Sequence, residues 1–287
     1  MVTPFNTDGS VDYEGLERLI NFQIDNGIEY LVSLGTTGEA STLKKEEKKA
    51  VWEFTENTVA GRVPLVAGIG GNSTAEVIDA IASFNKSGYD AILSVSPYYN
   101  RPTQEGIYQH YKAIATSSEL PIILYNVPSR TGGNMSAETT LRLAHDFKNI
   151  IAVKEAAGNF DQFNKILKDK PEDFLFISGD DAVTLPLIAM GAVGIISVVA
   201  NAIPGVFSQM IRFCLEGKFE EARAMHYKVL DFTNSIFMEG NPGGIKAALK
   251  HLSICNDTLR LPLVNVSDAL SSEIKTHLEN LEVSANA

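Results

Sequence analysis

Lys154 ends the apolar run Ile150-Ile151-Ala152-Val153, and a primary amine at such a place is suited to imine formation with a carbonyl substrate. A free lysine amine has a pKa of about 10.4, so roughly 1 in 2,500 is neutral at pH 7. An apolar, partly desolvated setting disfavours the ammonium and releases the amine for attack. Strand alternation puts Lys154 on the same face as Ala152 and Ile150. The competing reading is an ammonium that escapes to water at the strand end or pairs with Glu155. Tyr125 closes the preceding run, Pro121-Ile122-Ile123-Leu124, and would neighbour Lys154 across a ladder. A phenol there can shuttle protons while a carbinolamine forms and dehydrates. Thr36 and Thr37 offer a relaying hydroxyl and Tyr99 a second phenol. Their structural alternatives are a turn between Gly35 and Gly38, and an amphipathic core or interface position for each tyrosine. Arg130, in the proline-containing loop after Tyr125, is suited to gripping a carboxylate bidentately, or else to a surface ion pair.

Other motifs are weaker. Gly68-Ile69-Gly70-Gly71-Asn72 lacks the spacing of a dinucleotide loop, and the five histidines, at 110, 145, 226, 251 and 277, contain no HExxH. Asp180-Asp181 has no accompanying His or carboxylate set, so no metal is expected.

These groups need a scaffold that presents the ends of neighbouring strands. Short β-branched runs begin at Leu31, Pro64, Ala91, Pro121, Ile150, Phe174 and Gly194. The gaps suit parallel strands joined by helical crossovers, and the unbroken hydrophobicity suits burial on both faces. Leu16, Leu19, Ile20 and Ile24 mark one helix face, stopped by Asn26-Gly27. Ser73-Thr74-Ala75-Glu76 reads as a capping box opening another helix. Val2-Thr3-Pro4 supplies the stub of an eighth strand, shorter than a full one, so the expected chain is truncated or starts late. Eight units favour a closed (β/α)8 TIM barrel over an open doubly wound sheet, with reactive groups at the strands' C-terminal ends. The expected division is a barrel over 1–217 and a C-terminal helical region over 218–287, with Val266, Leu270, Ile274 and Leu278 at four-residue spacing.

Composition agrees with a soluble enzyme or binding protein. The 287 residues are 45% hydrophobic and 21% charged, enough for a large core. A net charge of −11 argues against nucleic-acid binding, which needs clustered basic groups. Two cysteines without CxxC spacing point to a reducing, cytoplasmic setting, and no run of 18 or more apolar residues suggests a membrane span.

Gly35-Thr36-Thr37-Gly38-Glu39, Pro97-Tyr98-Tyr99-Asn100-Arg101-Pro102, Tyr125-Asn126-Val127-Pro128-Ser129-Arg130-Thr131-Gly132 and Val153-Lys154-Glu155-Ala156 together resemble the dihydrodipicolinate synthase family. Ser178-Gly179-Asp180-Asp181 and Asp257-Thr258-Leu259-Arg260-Leu261-Pro262 extend the resemblance over nearly the whole chain. It implies a class I aldolase barrel in which pyruvate forms a Schiff base on Lys154 and adds, as an enamine, to L-aspartate 4-semialdehyde, on the diaminopimelate route to lysine. It further implies a proton relay of Tyr125, Thr37 and Tyr99, with Tyr99 reaching a neighbouring subunit's site. Thr36 and Thr37 would hold pyruvate's carboxylate, Arg130 that of the semialdehyde, and Gly179 and Ile196 would line the pocket. The implied assembly is a homotetramer, a dimer of dimers, without metal or organic cofactor. The wider superfamily includes N-acetylneuraminate lyases and keto-deoxy sugar acid aldolases, but Arg130 and Tyr98-Tyr99-Asn100 favour the synthase. A non-enzyme alternative is a keto-acid-binding sensor or scaffold. Asn72, Glu76 and Tyr98 match the effector contacts of lysine-inhibited relatives, whereas Lys45 and Lys48 stand where those often have histidine. Like-charge repulsion there should weaken lysine binding. Asn241-Pro242-Gly243-Gly244-Ile245-Lys246 carries a glycine where relatives commonly have a second proline, so a looser loop is expected.

Overall fold

The computed structural model describes residues 1–281; the end of the expected C-terminal helical region, 282–287, lies outside the described residues. In chain order the elements are α1 (Tyr13–Asp25), β1 (Leu31–Ser33), α2 (Lys45–Val59), β2 (Leu65–Gly68), α3 (Thr74–Ser83), β3 (Ala91–Val95), α4 (Gln104–Ser117), β4 (Ile122–Asn126) and α5 (Pro128–Thr131). They continue as α6 (Ala137–Asp146), β5 (Ile150–Glu155), α7 (Phe160–Asp169), β6 (Leu175–Ser178), α8 (Thr184–Ala189), α9 (Pro204–Leu215), α10 (Phe219–Ser235), α11 (Gly243–His251) and α12 (Asp268–Asn280). Strand and helix alternate through β6, an α/β architecture. The chain forms two compact units, Leu65–Ile196 and, for the other, Met1–Pro64 with the segment from Ser197 onward.

In the Leu65–Ile196 unit, β2 to β6 pair in sequence order and all in parallel. Each crossover carries a helix, as a parallel connection requires. Side-chain amides and hydroxyls start these helices: Ser73 accepts from the Glu76 amide at 3.4 Å, and Asn159 from the Gln162 amide at 3.1 Å, satisfying N–H groups that the first turn leaves free. The register aligns Val95, Tyr125, Lys154 and Ile177 in one lateral row, and Asn126, Glu155 and Ser178 in the next. Phe176 meets Phe163 of α7 edge to face, with ring centroids 5.6 Å apart. That contact assigns the faces: Val153, Phe176, Glu155 and Ser178 look toward the helices, and Lys154, Tyr125 and Ile177 look the other way.

The run from Gly194 forms a single bridge, Ser178 to Ile195, instead of the expected full strand. Gly194 has φ +151°, outside regular extended geometry, and by Val199 the chain has coiled into a tight helical turn. The expected stub Val2-Thr3-Pro4 is likewise no strand. Pro4 has no N–H to give a ladder, and the Val2 amide donates instead to Asn201 Oδ1 at 3.0 Å. Six strands therefore stand among the described residues, where eight were expected.

In the other unit, Leu16, Leu19 and Ile20 bury the inner face of α1, which ends at Asn26 before Gly27 at φ +83°. Trp52, the one tryptophan of the sequence, lies on α2. Helix α10 packs on α9 and α12, and α12 on α11; Leu270, Ile274 and Leu278 form the buried stripe of α12. Lys246 on α11 is wholly buried and pairs with Glu39 at 2.5 Å, while its ammonium donates to the Thr258 carbonyl at 2.8 Å. The same ammonium lies 4.1 Å from the Phe5 ring centroid, with the Arg260 guanidinium 4.5 Å from that ring. Arg260 also grips Glu47 with two hydrogen bonds, at 2.9 and 2.6 Å, and this pairing holds the Glu47 carboxyl down to about 2. Gly244 does not loosen its loop. A Cβ there would lie 2.2 Å from the Ile236 carbonyl oxygen, so the absent side chain lets α11 seat directly on that backbone.

Candidate active site

Lys154 is the fifth residue of β5 and Tyr125 the fourth of β4, paired directly in the parallel ladder. Lys154 is 8% exposed, and its Nζ lies 4.3 Å from the centroid of the Tyr125 ring. Among the described residues no carboxylate pairs with it. Glu155, the partner that sequence alone would offer, projects to the opposite face of the strand and is bound by Asn126 and Gln162. The amine therefore has an aromatic ring beside it and apolar neighbours, Val95 and Ile177, in its row.

Gly179 and Ile196 join this group. The Gly179 amide donates to the Glu155 carbonyl at 2.8 Å, and the Ile196 amide to the Ser178 carbonyl at 3.0 Å. A Cβ on Gly179 would lie 3.1 Å from Lys154 Cε and 2.9 Å from Ala156 Cβ. Glycine there is what leaves room for the lysine's methylene stem. Arg130 follows β4 at once, exposed on the single turn α5, which Gly132 ends at φ +73°.

Of the other expected site residues, Tyr98, Tyr99, Asn72 and Glu76 belong to the same unit and Thr36 and Thr37 to the other. Tyr99 sits in the loop after β3 with φ +72° and 88% exposure, and Tyr98 beside it is also exposed. Asn72 is half-buried just before α3, and Glu76 is exposed in its first turn. Thr36 and Thr37 form a tight turn after β1, closed by Glu39 at φ +51°. There Asn241 Nδ2 donates to Thr37 Oγ1 at 3.0 Å, so the threonine's own proton is free to point elsewhere.

The sequence reading missed Glu155 as a site-forming group. Its side chain is fully buried, and burial lifts its pKa to about 7 against the opposing pull of the Asn126 and Gln162 hydrogen bonds. Alternation along β5 carries the signal: successive residues of a strand face opposite ways, so Glu155 was never placed to neutralise Lys154.

The arrangement can form an imine. A near-buried amine at a strand end, flanked by a phenol and a glycine-made gap, can attack a carbonyl and transfer the protons that dehydration needs.

Comparison with known proteins gives a consistent result. The model of the dihydrodipicolinate synthetase family matches residues 1–281. A 4-hydroxy-tetrahydrodipicolinate synthase of Parabacteroides distasonis is 50% identical over 99% of this chain and 95% of its own length. The crystal structure of dihydrodipicolinate synthase from Aquifex aeolicus superposes with a TM-score of 0.95 at 42% identity, over 98% of this chain and 96% of that one. The chloride inhibited dihydrodipicolinate synthase from Acinetobacter baumannii complexed with pyruvate has a TM-score of 0.95 at 38% identity, covering 99% and 97%.

Proposed function

The chain belongs to the dihydrodipicolinate synthetase family, and from that membership we propose that it performs the family's chemistry through Lys154. The activity is that of a 4-hydroxy-tetrahydrodipicolinate synthase, a lyase of lysine biosynthesis that joins pyruvate to L-aspartate 4-semialdehyde. The observation that carries the assignment of the amine is Lys154 itself, nearly buried beside the Tyr125 ring and, among the described residues, without a carboxylate partner.

Nζ of Lys154 attacks the pyruvate carbonyl, and loss of water leaves a cationic iminium. That cation acidifies the neighbouring methyl group, so a proton leaves and an enamine forms; its carbon adds to the aldehyde. Tyr125 supplies the phenol nearest the carbinolamine. Thr37 and Tyr99 complete the relay, Thr36 and Thr37 hold the pyruvate carboxylate, and Arg130 binds that of the semialdehyde; these roles are supported by the resemblance of the motifs. Gly179 and Ile196 line the pocket. The same resemblance supports a closed (β/α)8 barrel, cytoplasmic operation and a homotetramer in which the exposed Tyr99 enters a neighbouring copy's site. Among the described residues no helix is long and apolar enough to cross a membrane.

A substrate panel tests the assignment. Purified protein should turn over pyruvate with aspartate semialdehyde and leave N-acetylneuraminate and keto-deoxygluconate untouched. Turnover of the sugars alone would assign it to the lyase and aldolase branch.

Lysine should inhibit weakly or not at all, because Lys45 and Lys48 add positive charge where lysine-inhibited relatives often have histidine. The Lys48 ammonium is already disfavoured, first by burial and then by Lys45, and a cationic effector would add to that repulsion. The check is a coupled assay with lysine titrated to 1 mM at fixed substrate (roughly physiological substrate concentrations). Half-inhibition below that concentration would contradict it.

A further inference from the structure

Behind Lys154, on the helix-facing side of β5, the Glu155 carboxylate is enclosed by neutral donors. Asn126 Nδ2 reaches both of its oxygens, at 3.0 and 3.1 Å; Gln162 Nε2 donates to Oε2 at 2.9 Å, and the Ala157 amide to Oε1 at 2.9 Å. The two side-chain amides are aimed in turn by the loop before α6. The Met135 amide donates to Asn126 Oδ1 at 3.0 Å, Asn134 Nδ2 to Gln162 Oε1 at 2.8 Å, and Asn126 Nδ2 also reaches Asn134 Oδ1 at 2.8 Å. Among the described residues Glu155 has no ion pair.

A buried carboxylate without a cation is costly to keep, and an apolar residue would serve packing alone at least as well. The elements it joins are the ones that carry the reacting groups. Asn126 directly follows Tyr125, Glu155 directly follows Lys154, and the Glu155 carbonyl receives the amide of Gly179, the residue packed against Lys154 Cε.

We propose that Glu155 is a positioning residue for the Schiff-base chemistry: through Asn126 its ionised carboxylate clamps the end of β4 to the end of β5, fixing Lys154 beside Tyr125. The inference rests on the reading of Lys154 as the reacting amine. Among the described residues every hydrogen bond made to the carboxylate comes from an N–H donor. A proton on either oxygen would confront a donor and not an acceptor, so protonation opens the clamp.

Burial places that protonation near pH 7. The groups that face Glu155 are neutral: Asn126 from β4, Gln162 from α7, Asn134 and Met135 from the loop, and Ser178 from β6. The charged or titratable side chains on those segments are Lys154 and Tyr125, on the opposite face; Asp161, Lys165, Lys168 and Asp169, all exposed on α7; and Asp180 and Asp181 beyond β6. Lys165 is paired with Glu138. The carboxylate form, and with it the clamp, gains population as pH rises through about 7, so the rate of imine formation should climb over the same interval.

The test follows the rate at which borohydride traps pyruvate on the protein, from pH 5.5 to 8.5 (a span chosen around roughly neutral pH). Glu155→Gln keeps the shape but turns an N–H toward the surrounding donors. It should still accept the covalent mass at Lys154, roughly ten- to a hundredfold more slowly, with the rise near neutrality flattened. Glu155→Asp, which retains the charge, should recover part of the rise. A Glu155→Gln protein with native trapping rate and native pH profile would overturn the clamp. If Glu155→Gln does not fold, Gln162→Met serves: loss of one donor should move the rise to higher pH, and an unmoved profile would also overturn it. A native protein that traps no pyruvate at any pH would instead refute the role of Lys154, which keeps the two failures distinct.

Discussion

Lys154→Ala should fold and be inert: borohydride with pyruvate is expected to add a covalent mass to the native chain and none to the variant. The loss of kcat/KM should be at least about 10³- to 10⁴-fold, or roughly 4–5.5 kcal/mol of transition-state stabilisation, because no alternative nucleophile replaces the amine. Stability should change little. Lys154 has no ion pair among the described residues, and its contact with the Tyr125 ring is worth about 1 kcal/mol. Lys154→Arg sharpens the result. A guanidinium keeps the positive charge and the ring contact but does not deprotonate in a protein, so it should be as inactive as alanine. An Arg variant that traps pyruvate, or an Ala variant that gains the mass, would remove the basis for the mechanism. The experiment also separates the enzyme from a keto-acid sensor, which would bind pyruvate without covalent capture.

The second large effect concerns stability. Lys246→Met leaves Glu39 as a buried carboxylate stripped of its ammonium partner, and breaking a buried pair from one side costs about 3–5 kcal/mol. Removing both charges is far less costly, because the penalty lies in the orphaned partner and not in the lost attraction. Lys246→Met combined with Glu39→Gln should therefore regain most of the loss, which a double-mutant cycle in urea reads as strong coupling. Additive losses in the cycle would show that the pair is not a unit. The Phe5 ring beside the Lys246 ammonium and the Arg260 guanidinium gives methionine a surface to pack on, so the single variant should lose stability through charge more than through cavity.

Much of this molecule was legible in its residue order, and the failures have physical causes. The strands from Leu31 to Ser178 begin within a residue of their apolar runs, because a strand buried on both faces leaves an unbroken hydrophobic signature. The Gly194 run carries the same signature yet forms one bridge, since composition does not report the backbone angle its glycine adopts. Lys154 and Tyr125 could be paired in advance because each ends its strand and neighbouring parallel strands align their ends. The polar cluster of Asn126, Asn134, Glu155 and Gln162 could not. Asn126 and Glu155 are ladder neighbours like Tyr125 and Lys154, but Asn134 and Gln162 join them only through the packing of α7 and the loop before α6. Gly244 reversed its expectation for a similar reason. Glycine's freedom suggests looseness where the chain is exposed, but against the Ile236 backbone its effect is close approach.

The lone indole of the sequence gives this chain a built-in optical asymmetry. Trp52 belongs to only one of the two compact units, so its emission during denaturation follows that unit, whereas far-ultraviolet dichroism averages the helices of both. Coincident curves would mark one cooperative transition, and a gap between them would show one unit melting ahead of the other, without a label and without altering a residue.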